Sequence, residues 1–156
     1  MNLRFNYTPR HFFWAFIALS VGSAIIYFGD RYLNVSLEIY FGPHTYSPMW
    51  VLDLILVPFL AGMAVSFIYG LGGKILAHFA PIFIRVFEYY TLDSAVLPDG
   101  VALLPLGFWL LILIVVVEAA GAGGFVGEVV MKKTYGRRPK HLIHKRYQTK
   151  DLEKAD

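Results

Sequence analysis

The chain has 156 residues, of which 57% are hydrophobic and 16% are charged, and its net charge is +3 at neutral pH. Soluble domains are far less apolar, so this composition indicates one integral membrane domain rather than a soluble protein. The absence of cysteine excludes disulfides, thiolate metal sites, cysteine-bound iron–sulfur clusters, c-type haem attachment and a cysteine nucleophile.

The first apolar run, residues 12–28, predicts a transmembrane helix. Arg4 and Arg10 precede it, as basic residues precede both signal peptides and first spans. Its small residues lie inside the run rather than after it, which favours an uncleaved span over a signal peptide. Residues 30–49 follow as a long outer loop, rich in aromatic residues, that could fold back on the membrane surface or present a docking surface.

The second apolar run covers residues 50–69, and the segment after it, residues 74–90, has two interpretations. The glycine-rich residues 70–73 between them predict a tight turn, because glycine tolerates positive φ. The polar side chains of the ambiguous segment recur at steps of four, seven and three, as Lys74, His78, Arg85 and Glu88. This spacing places them on one helical face, either of a transmembrane helix whose polar stripe faces its neighbours or of an amphipathic helix in the interface.

The last apolar run, residues 104–130, is long enough to cross a hydrocarbon core about 30 Å thick, and a basic tail follows it at residues 132–156. If residues 74–90 also cross, 12 of the 14 Lys and Arg residues lie on the cytoplasmic side, as the positive-inside rule favours. Three crossings with the tail inside would place more basic residues on the wrong side.

These elements predict an all-α integral membrane protein, a bundle of four transmembrane helices within residues 1–131. We expect both termini in the cytoplasm and the bundle in a bacterial inner (plasma) membrane. The alternative fold has three spans plus an amphipathic interfacial helix at residues 74–90.

Small residues recur at helical spacing in the second and last spans. They are Gly62, Ser66 and Gly70 in one span, and Ala119, Gly123 and Gly127 in the other. Hydrophobic burial does not drive helix association within lipid, so small residues stabilise contacts there by letting backbones approach closely. The two faces are predicted to be packing surfaces, either within the chain or toward a partner helix.

Ionisable side chains within the predicted spans are the sharper functional signal, because a charge near the bilayer centre is costly and is usually paired. Glu118 lies deep in the last span and Arg85 can reach toward it from the third, so we predict an ion pair between them. The remaining candidates, two near the outer end and two near the inner end, are Asp53, Glu88, His78 and Glu128. Such a series fixes helix register, forms a proton or ion pathway, or binds a ligand.

Cofactors and metals have little support in the sequence. A b-type haem needs two histidines at matched depth, and His11 is the only mate for His78, so no haem b is predicted. His141 and His144 have the spacing of a metal pair, but no carboxylate or thiolate lies nearby to complete a site. We therefore expect neither a cofactor nor a metal.

Clustered basic residues follow the last span. They are Lys132, Lys133, Arg137, Arg138, Lys140, Lys145 and Arg146. Beside a membrane, such residues set topology and attract anionic lipid headgroups, by about 1 kcal/mol for each residue near the surface. A cytoplasmic protein is the alternative partner of the tail, and nucleic acid is not expected.

No motif of a known catalytic mechanism is present, and nothing aligns Asp30, Glu38 and His44 of the outer loop into a lipid-hydrolase site. The chain is therefore not expected to be an enzyme. We predict a non-catalytic subunit or assembly factor of a larger membrane complex, packing through its small-residue faces. The alternative is a small homo-oligomeric ion or proton channel or transporter that uses Glu118 and Arg85.

Overall fold

The structure, a computed structural model, describes residues 9–93, Leu97 and residues 100–135. Most of these residues are helical. The α-helices are α1 (Pro9–Leu33), α2 (Pro48–Tyr69), α3 (Gly73–Ala77), α4 (Phe79–Asp93) and α5 (Leu106–Tyr135). The remaining elements are strand β1 (Ile39–Tyr40), a 3-10 helix (Gly42–Thr45) and, before α5, strand β2 (Ala102–Leu103).

Three helical segments are long and apolar enough to cross a membrane, namely His11–Leu33, Pro48–Tyr69 and Leu106–Lys133. They contain the predicted spans 12–28 and 50–69 whole and nearly all of the span predicted at 104–130. Large apolar side chains such as Phe16 and Ile55 point outward, as a surface in contact with lipid requires. The prediction of a helical protein with membrane-spanning segments is confirmed to this extent.

Helices α2 and α5 pack closely through glycines. A Cβ atom at Gly62 would collide with the carbonyl of Ala120, and one at Gly123 would collide with the carbonyl of Phe59. Gly127 faces α2 one turn further along. A residue larger than glycine would push the two backbones apart at these points, so the sequence of each helix fixes how near the other lies.

The turn between α2 and α3 depends on glycines at which φ is positive, 87° at Gly70 and 93° at Gly72. L-residues rarely adopt these values, which accounts for the turn predicted here. Gly73 begins α3 against Ser66, where an added Cβ would lie 2.6 Å from the Ser66 Cα. Gly70 therefore serves the turn, and Ser66 packs against both Gly73 of α3 and Gly127 of α5. Ala119 is half-buried on α5.

The segment with two interpretations forms two helices, α3 and α4, that meet at His78. At one end the Gly72 amide donates a hydrogen bond of 2.7 Å to the Glu128 carboxylate of α5. At the other end the Tyr89 ring centroid lies 4.5 Å from that of Trp109 near the start of α5. The pair α3–α4 thus lies alongside most of α5, and α4 also packs against α1.

The end of the bundle where α1 ends and α2 and α5 begin is covered by a cap, residues 34–47 and 101–105. Strands β1 and β2 pair antiparallel in the cap, with Ile39 opposite Leu103. Beneath the cap lies an apolar cluster formed by Leu37, Trp50, Leu104, Trp109, Ile112 and Val116. The outer loop therefore has a folded structure that seals this end of the helices.

Candidate functional site

Arg85 of α4 is fully buried between the helices and the cap. An unpaired charge buried in this way would cost several kcal/mol, so the side chain needs anionic partners. Its guanidinium is surrounded by four carboxylates, Asp30 of α1, Glu38 of the cap, Asp53 of α2 and Glu88 of α4. These five residues are named the Arg85 cluster below.

The two terminal nitrogens of Arg85 divide the carboxylates between them. Nη1 donates to Glu38 Oε1 and to Glu88 Oε2, each at 3.1 Å. Nη2 donates to Asp30 Oδ1 at 2.7 Å and lies 3.8 Å from Asp53 Oδ2. Hydrogen bonds between ionised partners are stronger than neutral ones, so the cluster ties α1, α2, α4 and the cap to one another.

Local structure explains how the carboxylates reach the guanidinium. Glu88 is three residues after Arg85 and therefore lies on the same face of α4. Glu38 is held by the cap, because its carbonyl accepts a hydrogen bond from the Leu104 amide at 2.9 Å. Ser36 Oγ also donates to Glu38 Oε2 at 3.1 Å. The cap thus has a second function besides sealing the bundle, which is to position one ligand of the arginine.

The predicted pair between Arg85 and Glu118 is wrong. The four carboxylates of the cluster occupy the guanidinium, and Glu118 is exposed on the outside of α5, with no ion pair to any residue that the structure describes. Spacing along the sequence predicts distance along a helix but not which way each side chain points. Val116 and Ala120 are the fully buried residues of this turn, and Glu118, midway between them, points the opposite way.

Sequence reasoning named Asp53 and Glu88 as neighbours near the outer end but left Asp30 and Glu38 in an exposed loop. Both are almost completely buried. No local pattern reveals Glu38, because its burial depends on the pairing of β1 with the distant β2. Asp30 offers a weak signal, as an acid at the end of an apolar span.

The Arg85 cluster has more negative than positive groups. One guanidinium cannot balance four carboxylates, and both oxygens of Asp53 and Oδ2 of Asp30 receive no hydrogen bond from the described residues. The arrangement can therefore hold protons or a cation. No group of three or more metal-ligating side chains suited to a metal ion occurs in the part of the chain that is described.

An open cleft of about 520 Å³ reaches this cluster from the surface, between the end of α1 and the end of α4, and is named the α1–α4 cleft. Asp30 and Glu88 of the Arg85 cluster line it. Tyr27, Phe41 and Phe87 contribute aromatic walls, and Arg31 lines it as well. The cluster is thus accessible from one side of the bundle although its arginine is buried.

The two inner-end candidates stabilise the other end of the bundle. Oε1 of Glu128 accepts hydrogen bonds from the amides of Gly72 at 2.7 Å and Lys74 at 3.2 Å. Nδ1 of His78 donates to the Lys74 carbonyl at 2.7 Å, and its ring packs against Gly121. The predicted series of ionisable groups is therefore divided into a cluster at the capped end, contacts at the α2–α3 turn, and Glu118 on the outside.

Lys132 and Lys133 of the basic tail are exposed at the end of α5. The other basic residues of the tail that were predicted to contact lipid or a partner lie outside the described residues, as do His141 and His144. His11 is half-buried on α1. Two of the three residues considered for a lipid-hydrolase site, Asp30 and Glu38, both bind Arg85.

No protein-family model matches the chain, and comparison with curated proteins and with solved structures found no match.

Proposed function

We propose that the chain is a non-catalytic integral membrane subunit or assembly factor that binds a partner subunit through the face of α5 that carries Glu118. The observation that carries this proposal is the exposure of that carboxylate. At about 1.5 Å per residue it lies about 13 Å along α5 from Trp109, deep within the span. A charge at the centre of a span costs about 2.5–3.5 kcal/mol on insertion scales, so one that faces lipid needs a partner.

The surroundings of Glu118 support a helix as that partner. One and two turns away on the same face of α5 lie exposed apolar residues, Leu111, Ile114, Val115, Ala122, Phe125 and Val126. A transmembrane helix could pack on this stripe and place one polar residue opposite the carboxylate. We therefore propose a partner helix with an arginine, lysine, histidine or hydrogen-bond donor at that depth.

Charge complementarity favours a different polypeptide over a second copy of this chain. Within the described side chains, lysines and arginines lie near the ends of the bundle, except Arg85, which is already bound by carboxylates. Among the described residues, a second copy would therefore bring no free lysine or arginine to the depth of Glu118. The glycine faces predicted as possible partner contacts are used between α2 and α5, which leaves the Glu118 face as the candidate surface.

We also infer that α3 and α4 together make a fourth crossing, with both termini in the cytoplasm of a bacterial cell. Supporting this, contacts join the start of α3 to Glu128 and the later part of α4 to Trp109. The stretch of α5 between those two residues rises about 28 Å, close to the thickness of a hydrocarbon core. A helix lying flat in the interface would not contact both ends of α5.

A small channel or transporter is the second candidate, and the Arg85 cluster at the α1–α4 cleft favours it. Conduction through one copy would require a path past the contact between α2 and α5, where glycines bring the two backbones together. A pathway would therefore have to run between copies, along the Glu118 face. Glu118→Gln should then change ion or proton flux in reconstituted vesicles.

The deciding experiment is purification of the tagged protein from its native membrane in mild detergent, followed by native mass spectrometry. We expect a stoichiometric foreign subunit with the wild type, a loss of at least about tenfold with Glu118→Leu, and partial retention with Glu118→Gln, which keeps hydrogen bonding. Phe16→Leu, an exposed apolar site on α1, is the matched control and should change nothing. A homo-oligomer without foreign subunits, or undiminished association of Glu118→Leu, would contradict the proposal.

A further inference from the structure

The α1–α4 cleft has the features of a binding site, which the proposed subunit function does not use. It is open to the surface, and the Asp30 carboxylate lines it while its side chain is only 5% exposed. Oδ1 of Asp30 is bound by Arg85, whereas no donor in the described residues reaches Oδ2. A ligand that brings its own donors into the cleft would therefore meet an acceptor that the protein leaves unbonded.

The chemistry of the cleft favours a cationic ligand with several hydrogen-bond donors. Asp30 and Glu88 both line it, and the cluster behind them has more carboxylates than its guanidinium balances. The carboxylate oxygens are distributed around the guanidinium. They do not form a group suited to a metal ion within the described part of the chain. An alkylammonium group fits this arrangement, because it brings one charge and three N–H donors.

A second charge lies in the same cleft and restricts the ligand further. Arg31 lines the cleft, and its guanidinium carbon lies 3.9 Å from the centroid of the Tyr27 ring. That cation–π contact orients the guanidinium near the wall of the cleft. Arginine binds phosphate well through its planar set of donors. The cleft thus offers carboxylates for an ammonium group and an arginine for a phosphate.

The position of the cleft connects this chemistry to the membrane. It lies where the apolar segment His11–Leu33 ends, which is the level of lipid headgroups. Phe87 lines the cleft and is 64% exposed on α4, so an acyl chain could lie along the helix beside it. A headgroup in the cleft would therefore have its acyl chains on an apolar surface.

We propose that the α1–α4 cleft binds an ethanolamine phosphate group, with the ammonium at Asp30 and Glu88 and the phosphate at Arg31. Phosphatidylethanolamine in the bilayer is one source of this group, and soluble O-phosphoethanolamine is the other. A choline headgroup carries the same charges, but its methylated nitrogen has no N–H to donate to the unpartnered Asp30 oxygen. The site should therefore distinguish the two headgroups.

The test uses the full chain in nanodiscs that contain phosphatidylglycerol with equal amounts of phosphatidylethanolamine and phosphatidylcholine of identical acyl chains. Native mass spectrometry then counts the lipids that stay bound. We expect the wild type to retain phosphatidylethanolamine over phosphatidylcholine by about tenfold. Asp30→Asn and Glu88→Gln should remove the preference, whereas Asp93→Asn, an exposed acid near the end of α4, should preserve it.

Asp30 also binds Arg85, so Asp30→Asn could fail to fold. Glu88→Gln is the second variant, because the Glu88 side chain is 18% exposed and its loss leaves the other carboxylates in place. Helical circular dichroism and a single gel-filtration peak show that each variant is folded. Equal retention of the two lipids by the wild type, or an unchanged preference in folded Glu88→Gln, would overturn the proposal.

A competition arm distinguishes the two sources of the group. If millimolar O-phosphoethanolamine displaces the retained lipid, the headgroup alone is sufficient and the soluble compound is a ligand. If it does not, the acyl chains contribute and the lipid is the ligand. Both results support recognition of the ethanolamine phosphate group.

Discussion

The middle of the bundle and its capped end are held together by opposite kinds of contact. Midway along α2 and α5, glycines bring the two backbones together, and the contact depends on the absence of side chains. At the capped end, four carboxylates from four segments surround the guanidinium of Arg85. The first contact depends on close backbone packing, and the second depends on ion pairs.

This difference determines what each region can respond to. The close backbone contact between α2 and α5 has no titratable group and no room for a ligand, so it should stay the same as pH or lipid changes. The Arg85 cluster is different, because its excess carboxylates can gain a proton or a cation and its edge is open to the α1–α4 cleft. The glycine contact is therefore the scaffold, and the Arg85 cluster is a part that solution conditions can change.

Removing the arginine should have the largest effect. Arg85→Met leaves four carboxylates buried without their cation, and we expect a loss of about 3–5 kcal/mol in the free energy of unfolding in mild detergent. The deficit should shrink as the pH is lowered, because protonated carboxylates no longer repel one another. Denaturant unfolding followed by circular dichroism measures both effects. Arg31→Gln, at an exposed arginine, is the control, and a pH-independent deficit would contradict the charge explanation.

Enlarging a glycine at the α2–α5 contact should cost somewhat less, and the cost should not depend on pH. Gly123→Val places a branched side chain against the Phe59 carbonyl, and we expect a loss of about 1–3 kcal/mol. Gly107→Ala is the matched control, because an added Cβ meets nothing within 4 Å there. The same unfolding assay at two pH values applies. Stability equal to that of the control would show that the helices separate here at little cost.

The turn should be the next most sensitive site. Glu128→Ala removes the acceptor of the Gly72 and Lys74 amides, and we expect a loss of about 1–2 kcal/mol. Glu118→Ala, at the exposed carboxylate of the same helix, should leave the unfolding of the isolated chain unchanged. If the two variants lose equal stability, Glu118 has a partner within the chain and the proposed docking face is wrong.

Single-cysteine variants should have almost no effect on stability. They test which end of the bundle faces the cytoplasm. The chain has no native cysteine, so each label reports one site. We expect Leu71→Cys and Lys133→Cys to be protected from an impermeant reagent added to intact cells, and Tyr40→Cys to be labelled. All three side chains are exposed, and permeabilised cells give the reference for full reaction. Labelling at Leu71 but not at Lys133 would support three crossings.

Much of the helical framework follows from the sequence because apolar length alone identifies a span. The rotation of α5 does not, since the helix is apolar on almost every side and gives no amphipathic signal, which is why Glu118 was directed inward. Glu38 was missed for another reason. Its position depends on pairing between strands about sixty residues apart, and no local pattern contains such a contact. Arg85 could be identified from the sequence, because a cation in an apolar segment must be paired, whichever residues its partners are.

Three of the four carboxylates that bind Arg85 precede it in the chain, and this order affects how the protein inserts into the membrane. Chains enter the membrane from the N-terminus, so Asp30, Glu38 and Asp53 are synthesised before Arg85. If α3 and α4 cross the membrane as proposed, the arginine enters it when anionic partners on α1 and α2 are already present. Glu38 is fixed by the pairing of β1 with β2, which requires residues 102–104 to have been synthesised. Arg85 is therefore fully buried only after these residues and α5 have followed. On this order of synthesis, the guanidinium of Arg85 has an anionic partner available as soon as it enters the bilayer.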